Sequence, residues 1–250
     1  MAGAATSSSI FPIAQAVAQD RPVATAPATF VLVAGNGEGG WIYRRIANLL
    51  AKRGHQVFTP TLTGLGERSH LLSASINLTT HITDVVNVVQ WEDLTDIVLC
   101  GHSYGGMVIT GVAERIGERI ASIVYLDALI PEDDQSTLDI NPRKLADGIA
   151  SPPPKATVLK VNDKDQAWVD AKCTPQPNGA ASEKLKVTGA YQRIRKKVYV
   201  RAGGYPNQVF TKFYDRVRAD PSWTVHVLPC GHDIMVDMPD ELSDILVASV

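Results

Sequence analysis

The chain of 250 residues has little of what several classes of protein require. Its three cysteines, Cys100, Cys173 and Cys230, lie far apart and form no C-x-x-C pair, and no histidine belongs to an H-E-x-x-H pattern. Neither a disulfide framework nor a zinc site is therefore expected, and we predict no metal.

Excess positive charge and long apolar runs are also missing. The formal net charge is −2, and the tightest basic cluster is the short segment 193–197. Binding to a phosphate backbone requires a basic surface, so we do not expect nucleic acid as a partner. No stretch approaches the ~18 uninterrupted apolar residues of a membrane helix, so we do not expect stable membrane insertion either.

Residues 1–29 differ in composition from the rest of the chain. They are rich in Ala, Ser, Thr and Pro, and Arg21 is their only basic residue. The small residues of Ala16-Val17-Ala18 fit a signal-peptidase site, but the basic start of an export signal is missing. Two alternatives stay open: the remnant of an export signal in a periplasmic or secreted protein, or a disordered leader of a cytoplasmic one.

From residue 30 onward, short apolar segments alternate with amphipathic ones. We predict strands at 30–34, 56–59, 96–100, 121–126, 198–201 and 224–228, with helices at 41–53, 80–90, 105–116, 207–218 and 241–248. With 45% hydrophobic residues the chain can bury one large core. The pattern predicts an α/β domain over residues 30–250, with a mainly parallel sheet of about six strands flanked by helices.

The alternation fails between about residues 131 and 195. Pro152-Pro153-Pro154 and several short polar runs interrupt every candidate element there. Long irregular segments in compact domains are usually functional, so we predict an inserted cap that borders a substrate pocket. Trp168 and Tyr191 are candidates for the pocket wall.

The clearest chemical motif is Gly101-His102-Ser103-Tyr104-Gly105, which lies between a predicted strand and a predicted helix. This G-x-S-x-G context predicts that Ser103 is a nucleophile on a sharp turn. Side chains at 101 and 105 would collide with the neighbouring strand and helix, which explains the glycines.

A serine hydroxyl needs a base that accepts its proton. His232 follows a glycine at the end of the last predicted strand, where a loop can bring its ring to Ser103. His226 lies inside that strand, and we expect His102 to point into the sheet.

Three segments carry a resemblance to a known family: GHSYGGM at 101–107, VYLDALIPED at 124–133 and PCGHDIMVDMP at 229–239. The chain resembles α/β-hydrolases of the branch that includes plant methylesterases and hydroxynitrile lyases. The resemblance implies a nucleophile, an acid and a histidine in that order along the chain. The first loop of that branch usually reads His-Gly-x-x-His-Gly-x-Trp, whereas here it reads Ala34-Gly35-Asn36-Gly37-Glu38-Gly39-Gly40-Trp41.

The same loop, read alone, has the G-x-G-x-x-G spacing of a dinucleotide site. Such a site needs an acidic residue at the end of the next strand, where this chain has Thr59 and Pro60. We therefore interpret the loop as half of an oxyanion hole, formed by the backbone N–H groups of Asn36 and Tyr104.

The acid of the triad has two candidates. Many relatives place it after the strand that ends here at Arg201, but residues 201–207 contain no carboxylate. Asp127 follows the apolar strand after the nucleophile helix, and a nearly buried carboxylate needs a partner such as an imidazole N–H. We predict Asp127, although it could also cap the strand end, and Asp215 is the substitute.

These residues predict a serine hydrolase that cleaves a small carboxylic ester, or a related carbamate or amide, through an acyl-enzyme without a cofactor. The alternatives are a C–C lyase like the hydroxynitrile lyases, a ligand-binding homologue with low turnover, and an NAD(P)-dependent oxidoreductase. Glu38 also allows two interpretations. Its carboxylate could tune substrate choice at the pocket rim, or it could face water and offset the positive helix end by ~0.3–1 kcal/mol.

Overall fold

The computed structural model describes residues 26–250, together with Met1 and Gly3. The expected leader therefore lies almost entirely outside the described residues. The strands are β1 (Thr29–Val33), β2 (Gln56–Phe58), β3 (Ile97–His102), β4 (Ile120–Leu126), β5 (Ala150–Ser151), β6 (Gln176–Pro177), β7 (Lys196–Ala202) and β8 (Trp223–Leu228). The α-helices are α1 (Arg44–Lys52), α2 (Leu78–Trp91), α3 (Gly105–Ile116), α4 (Thr137–Ile140), α5 (Asp163–Lys172), α6 (Asn178–Ser182), α7 (Gln208–Arg218), α8 (Ile234–Asp237) and α9 (Pro239–Ala248).

Six of the strands form one parallel sheet in the order β2-β1-β3-β4-β7-β8. The predicted α/β architecture with about six parallel strands is confirmed. Because all six strands run in the same direction, their carboxyl ends meet at one edge of the sheet, and loops from that edge build the site described below.

Both faces of the sheet are covered by helices. Alternate residues of β3 enter opposite cores: Leu99 packs in the layer that includes α2, α3 and α7, whereas Val98 packs in the layer that includes α1 and α9. This two-sided burial explains why the central strands are continuously apolar instead of alternating with polar residues.

The segment 131–195 folds into short elements rather than an irregular loop. It contains α4, α5, α6 and the two-residue antiparallel pair of β5 with β6. It is tied to the glycine loop, since Thr174 donates its N–H to the Gly37 carbonyl at 2.8 Å and Gln176 accepts the Gly37 N–H at 2.9 Å. Its role as a cap stays a prediction.

No helix within residues 26–250 combines the length and the apolar character that crossing a membrane requires.

Candidate active site

The turn between β3 and α3 holds Ser103 in a strained backbone conformation. Its φ is +52°, in the left-handed region that favours glycine. A Cβ atom at Gly101 would lie 2.6 Å from the Gly105 carbonyl oxygen, and one at Gly105 would lie 2.8 Å from the Val33 carbonyl oxygen. The two glycines therefore allow α3 and β1 to approach the turn.

Three side chains from different strand ends meet at this turn. The Ser103 hydroxyl lies 2.9 Å from Nε2 of His232, and Nδ1 of the same ring lies 2.7 Å from Oδ2 of Asp127. The His232 backbone N–H donates to the Leu159 carbonyl at 2.8 Å, so segment 131–195 also holds the histidine loop. The structure thus brings together the three residues that the sequence singled out.

Asp127 is fully buried and has a cation on its other side. Its Oδ1 accepts hydrogen bonds from the Arg201 guanidinium at 2.6 Å and from the Ala202 N–H at 3.3 Å. Arg201 is itself buried and also donates to the carbonyls of Ala202 and Tyr205. Sequence reasoning missed Arg201; the available signal was an arginine at a buried strand end that lacks the usual carboxylate.

Asp215, the substitute acid, lies on the outer face of α7. Its side chain is 50% exposed and forms an ion pair with Arg218 at 3.0 Å. Because Asp127 already occupies Nδ1 of His232, Asp215 has no place in this arrangement.

Two backbone N–H groups next to the reacting serine are free to bind a ligand. Those of Asn36 and Tyr104 donate to no other group in the described part of the chain, and both residues line the cavity above Ser103. Tyr104 immediately precedes α3, whose positive end favours negative charge at this point. The pair can hold an oxyanion.

The surroundings of His232 favour its neutral form, which can accept a proton. Burial, followed by the positive charge of His102, lowers its pKa below the ordinary range, whereas Asp127 opposes this shift. The rings of Tyr205 and Phe210 enclose it, each with its centroid 4.7 Å away.

Glu38 lines the cavity but does not face water, so the expectation of a solvated residue at the helix end is wrong, while a part in substrate choice stays a prediction. Its side chain is only 3% exposed, and its Oε2 accepts the Gly35 N–H at 2.8 Å and faces Nδ1 of His102 at 3.1 Å. Since His102 offsets its charge, the basis for a penalty on anionic substrates at this residue disappears. His102 is buried, as expected.

Asp233 completes a buried cluster with these two residues. Its Oδ1 lies 3.9 Å from Nε2 of His102, and both of its carboxyl oxygens lack a hydrogen-bond partner among the described residues. Burial and the charge of Glu38 raise its pKa far above the ordinary range, which favours the neutral carboxyl.

The ligand atoms of this cluster lie within 4.8 Å of one another, which raises the question of a metal. Both ring nitrogens of His102 already face protein acceptors, Glu38 and the His232 carbonyl. A metal would need a free nitrogen lone pair, so the arrangement fits an ion pair better than a metal site.

A cavity of about 320 Å³ opens above Ser103. Segment 131–195 contributes a large part of its wall: Thr137, Asn141, Arg143, Pro152, Pro153, Pro154 and Leu159. Arg143 forms no ion pair within residues 26–250, whereas the Glu38 charge is paired. The cavity therefore carries one uncompensated positive charge.

The structure does not place Trp168 or Tyr191 in this wall. Trp168 packs edge-on against Trp41, with ring centroids 5.0 Å apart. Tyr191 lies in the core beside Tyr125 and Trp223, with centroids 6.3 and 6.5 Å away. Large aromatics in an insertion serve its core as readily as a pocket, and composition alone does not separate these roles.

Comparison with known proteins gives a consistent result. The sequence profile described as "Alpha/beta hydrolase family" matches residues 30–245. A carbendazim hydrolyzing esterase of Nocardioides sp. (strain SG-4G) is 42% identical over 88% of this chain and 99% of its own length.

Two further relatives match more distantly. Methylesterase 1 of Arabidopsis thaliana is 32% identical over 43% of this chain and 41% of its own length. An extracellular alpha/beta-hydrolase from a Paenibacillus species superimposes with a TM-score of 0.73 at 23% identity, covering 89% of this chain and 99% of that one. At this identity the superposition reports the fold alone.

Proposed function

Because the chain belongs to the alpha/beta hydrolase family and is a carboxylic ester hydrolase, we propose that Ser103, His232 and Asp127 are its catalytic residues. The observation that carries this proposal is the position of the His232 ring, 2.9 Å from the serine hydroxyl and 2.7 Å from the aspartate. One imidazole then links a nucleophile to a buried carboxylate.

In the first step the Ser103 oxygen attacks the ester carbonyl while Nε2 of His232 takes its proton. Asp127 accepts the Nδ1 hydrogen bond, so it selects the tautomer with a free Nε2 lone pair and stabilises the imidazolium that forms. Arg201 occupies the second oxygen of Asp127 and so keeps the carboxylate oriented toward the ring.

The developing oxyanion is held by the N–H groups of Asn36 and Tyr104. His232 then returns its proton to the leaving alcohol, and an acyl-enzyme remains on Ser103. Water, activated by the same histidine, releases the acyl group. The residues of the chain supply each of these proton transfers.

The substrate is a small ester, and we propose that carbamate esters are included. The cavity of about 320 Å³ lies at the small end of ligand pockets, which span roughly 300–1,000 Å³. The relative with 42% identity is named for hydrolysis of carbendazim, a methyl carbamate of an aromatic amine. We also propose that segment 131–195 is the cap that selects among such substrates, because it forms much of the cavity wall.

The test measures hydrolysis of 4-nitrophenyl acetate and of carbendazim by the wild type and by Ser103→Ala. We expect turnover of both compounds by the wild type, inhibition by a serine-directed phosphonate, and loss of at least about 10³-fold in kcat in the variant. His232→Ala should lose as much, because the two side chains act as a unit.

Substantial turnover by a folded Ser103→Ala protein would contradict the assignment of the nucleophile. Hydrolysis of the acetate without any of carbendazim would leave the ester hydrolase in place but overturn the proposed carbamate substrates.

A further inference from the structure

Behind the ring of His232 lies the buried cluster of Glu38, His102 and Asp233, which the catalytic steps above do not use. The three side chains come from the loop after β1, the end of β3 and the loop after β8, and none is more than 3% exposed. Burying ionisable groups costs free energy unless they pair with one another. The contacts within the cluster therefore indicate which of its groups carry protons.

The hydrogen bonds fix the protons on His102. Its Nε2 lies 3.1 Å from the backbone carbonyl of His232, and a carbonyl can only accept, so Nε2 carries hydrogen. Its Nδ1 lies 3.1 Å from a Glu38 oxygen that also accepts the Gly35 N–H, as expected of a carboxylate. The contacts of His102 thus fit a ring that donates from both nitrogens, as an imidazolium does.

The ionisation preferences of the two groups agree with this geometry. Burial is the largest single influence on His102, and it disfavours the charged ring. The charge of the Glu38 carboxylate and the hydrogen bond from His102 to Glu38 together outweigh burial and raise the pKa of His102 to about 9. Burial likewise opposes the charge of Glu38, and His102 together with the Gly35 N–H nevertheless lowers the pKa of Glu38.

This imidazolium lies directly against the catalytic ring. The centroids of His102 and His232 are 4.6 Å apart, with an angle of 49° between the planes. The titratable groups around the two rings are Glu38, Asp127, Asp233 and Tyr205, with Arg201 paired to Asp127 and Asp237 acting on Asp233. Arg201 is paired with Asp127, and His102 is the cation whose charge lowers the pKa of His232.

We propose that Glu38 and His102 are positioning residues for His232: their buried ion pair holds its backbone carbonyl from behind and keeps its ring neutral in mildly acidic solution. The inference rests on the proposed role of His232 as the general base. A positive neighbour disfavours a second positive charge, so the enzyme retains its base form at lower pH than an isolated histidine would.

The test compares pH profiles of kcat/KM between pH 4.5 and 8 for the wild type, His102→Gln and the double variant Glu38→Gln/His102→Gln. Removing the imidazolium should move the acid limb upward by about 0.5–1.5 pH units. In His102→Gln the acid limb should move in the same direction whether Glu38 stays ionised or takes a proton. The double variant removes both charges of the ion pair, so it leaves no unpaired charge. Loss of the carbonyl contact should also lower the plateau kcat by about 3- to 10-fold.

His55→Gln is the matched control. His55 is also a buried histidine bonded to the backbone, since it accepts the Ala28 N–H at 3.1 Å, but it precedes β2 at the opposite edge of the sheet. The acid limb of the His55→Gln profile should coincide with that of the wild type. The conservative variant Glu38→Asp, which keeps the charge, should stay within about 0.3 pH units of the wild type.

An acid limb that is unmoved or shifted downward in a folded double variant would overturn the proposal. This test can be distinguished from a failure of the proposed function. Activity in Ser103→Ala would contradict the triad. An inactive Ser103→Ala, together with an unchanged pH profile in both glutamine variants, would contradict only the role of Glu38 and His102. If His102→Gln alone does not fold, the double variant decides, because it leaves no unpaired charge in the buried cluster.

Discussion

At the residue scale, Asp127 has its two oxygens divided between different partners. One accepts from His232 and the other from Arg201, and the residue itself has a φ of +40°. A fully buried carboxylate with both oxygens engaged has little freedom to rotate. This orientation is what a general base needs from its supporting acid.

We expect Asp127→Asn to lower kcat by about 10²- to 10⁴-fold, because the amide presents a donor to Nδ1 and selects the wrong tautomer. Asp215→Asn is the matched control, and its exposed position predicts activity near that of the wild type. Steady-state kinetics on 4-nitrophenyl acetate measure both. An inactive Asp215→Asn protein beside an active Asp127→Asn protein would reverse the assignment.

The sequence located Ser103, His232 and Asp127 because each follows a predicted strand in an order that the chemistry requires. It did not locate Arg201 as the partner of Asp127 or His102 as the partner of Glu38. Both errors concern partners that lie on different strands, and local spacing carries no information about which neighbours the sheet order brings together.

At the element scale, the crossing of α3 over the sheet depends on contacts too close for a side chain. A Cβ atom at Gly106 would overlap the carbonyl oxygen of Leu129, which lies just after β4. Gly117, immediately after the same helix, has open space around its Cβ position and a helical φ of −55°.

Gly106→Ala should therefore destabilise the protein by about 1–3 kcal/mol, since the helix must move away from the strand end. Gly117→Ala should be neutral or stabilising by up to about 1 kcal/mol. Urea unfolding measures both. Equal stability of the two variants would show that α3 adjusts without cost.

Segment 131–195 was predicted to be irregular, yet it contains helices and a short strand pair. Elements of two to five residues, such as β5, β6, α4 and α6, are too short to show a helical or strand periodicity. Its position over the cavity follows from contacts with the glycine loop, which no pattern within the segment encodes.

This segment contributes the charge that should govern substrate preference. Arg143→Gln is expected to lower kcat/KM for an ester with a carboxylate tail by about 3- to 10-fold relative to its neutral analogue, and added salt should reduce this difference. Lys144→Gln, at the adjacent exposed residue outside the cavity wall, is the control. Identical losses on both esters would exclude a role of Arg143 in charge selection.

At the scale of the whole molecule, the parallel sheet is covered by two apolar layers, but a group of ionised side chains lies where its strands end. Such groups link stability to pH whenever their pKa differs between the folded and the unfolded chain. His102 is the clearest case. Its pKa is raised to about 9 in the folded protein and returns to about 6.5 when the chain unfolds.

Between these two values the folded state holds a proton on His102 that the unfolded state releases, so the contribution of this residue to stability should fall as pH rises above about 6.5. His55, His81, His226 and His232 contribute with the opposite sign, because their pKa is lowered in the folded protein. We expect the Tm of the wild type, measured relative to that of Glu38→Gln/His102→Gln, to decrease between pH 6.5 and 8.0, because the other histidines are present in both proteins. Calorimetry of both proteins checks it. A difference in Tm that is constant over this interval would contradict the assigned charge of His102.

The three proposed catalytic side chains are far apart along the chain, at positions 103, 127 and 232, and the last of them follows β8 at one side of the sheet. Two distant segments bond to the backbone of His232 itself: the Leu159 carbonyl accepts its N–H, and the His102 ring donates to its carbonyl. Contacts between such distant segments form late in folding, because the intervening chain must be ordered first. Recovery of esterase activity during refolding therefore reports the docking of the final strand and not the earlier collapse of the core.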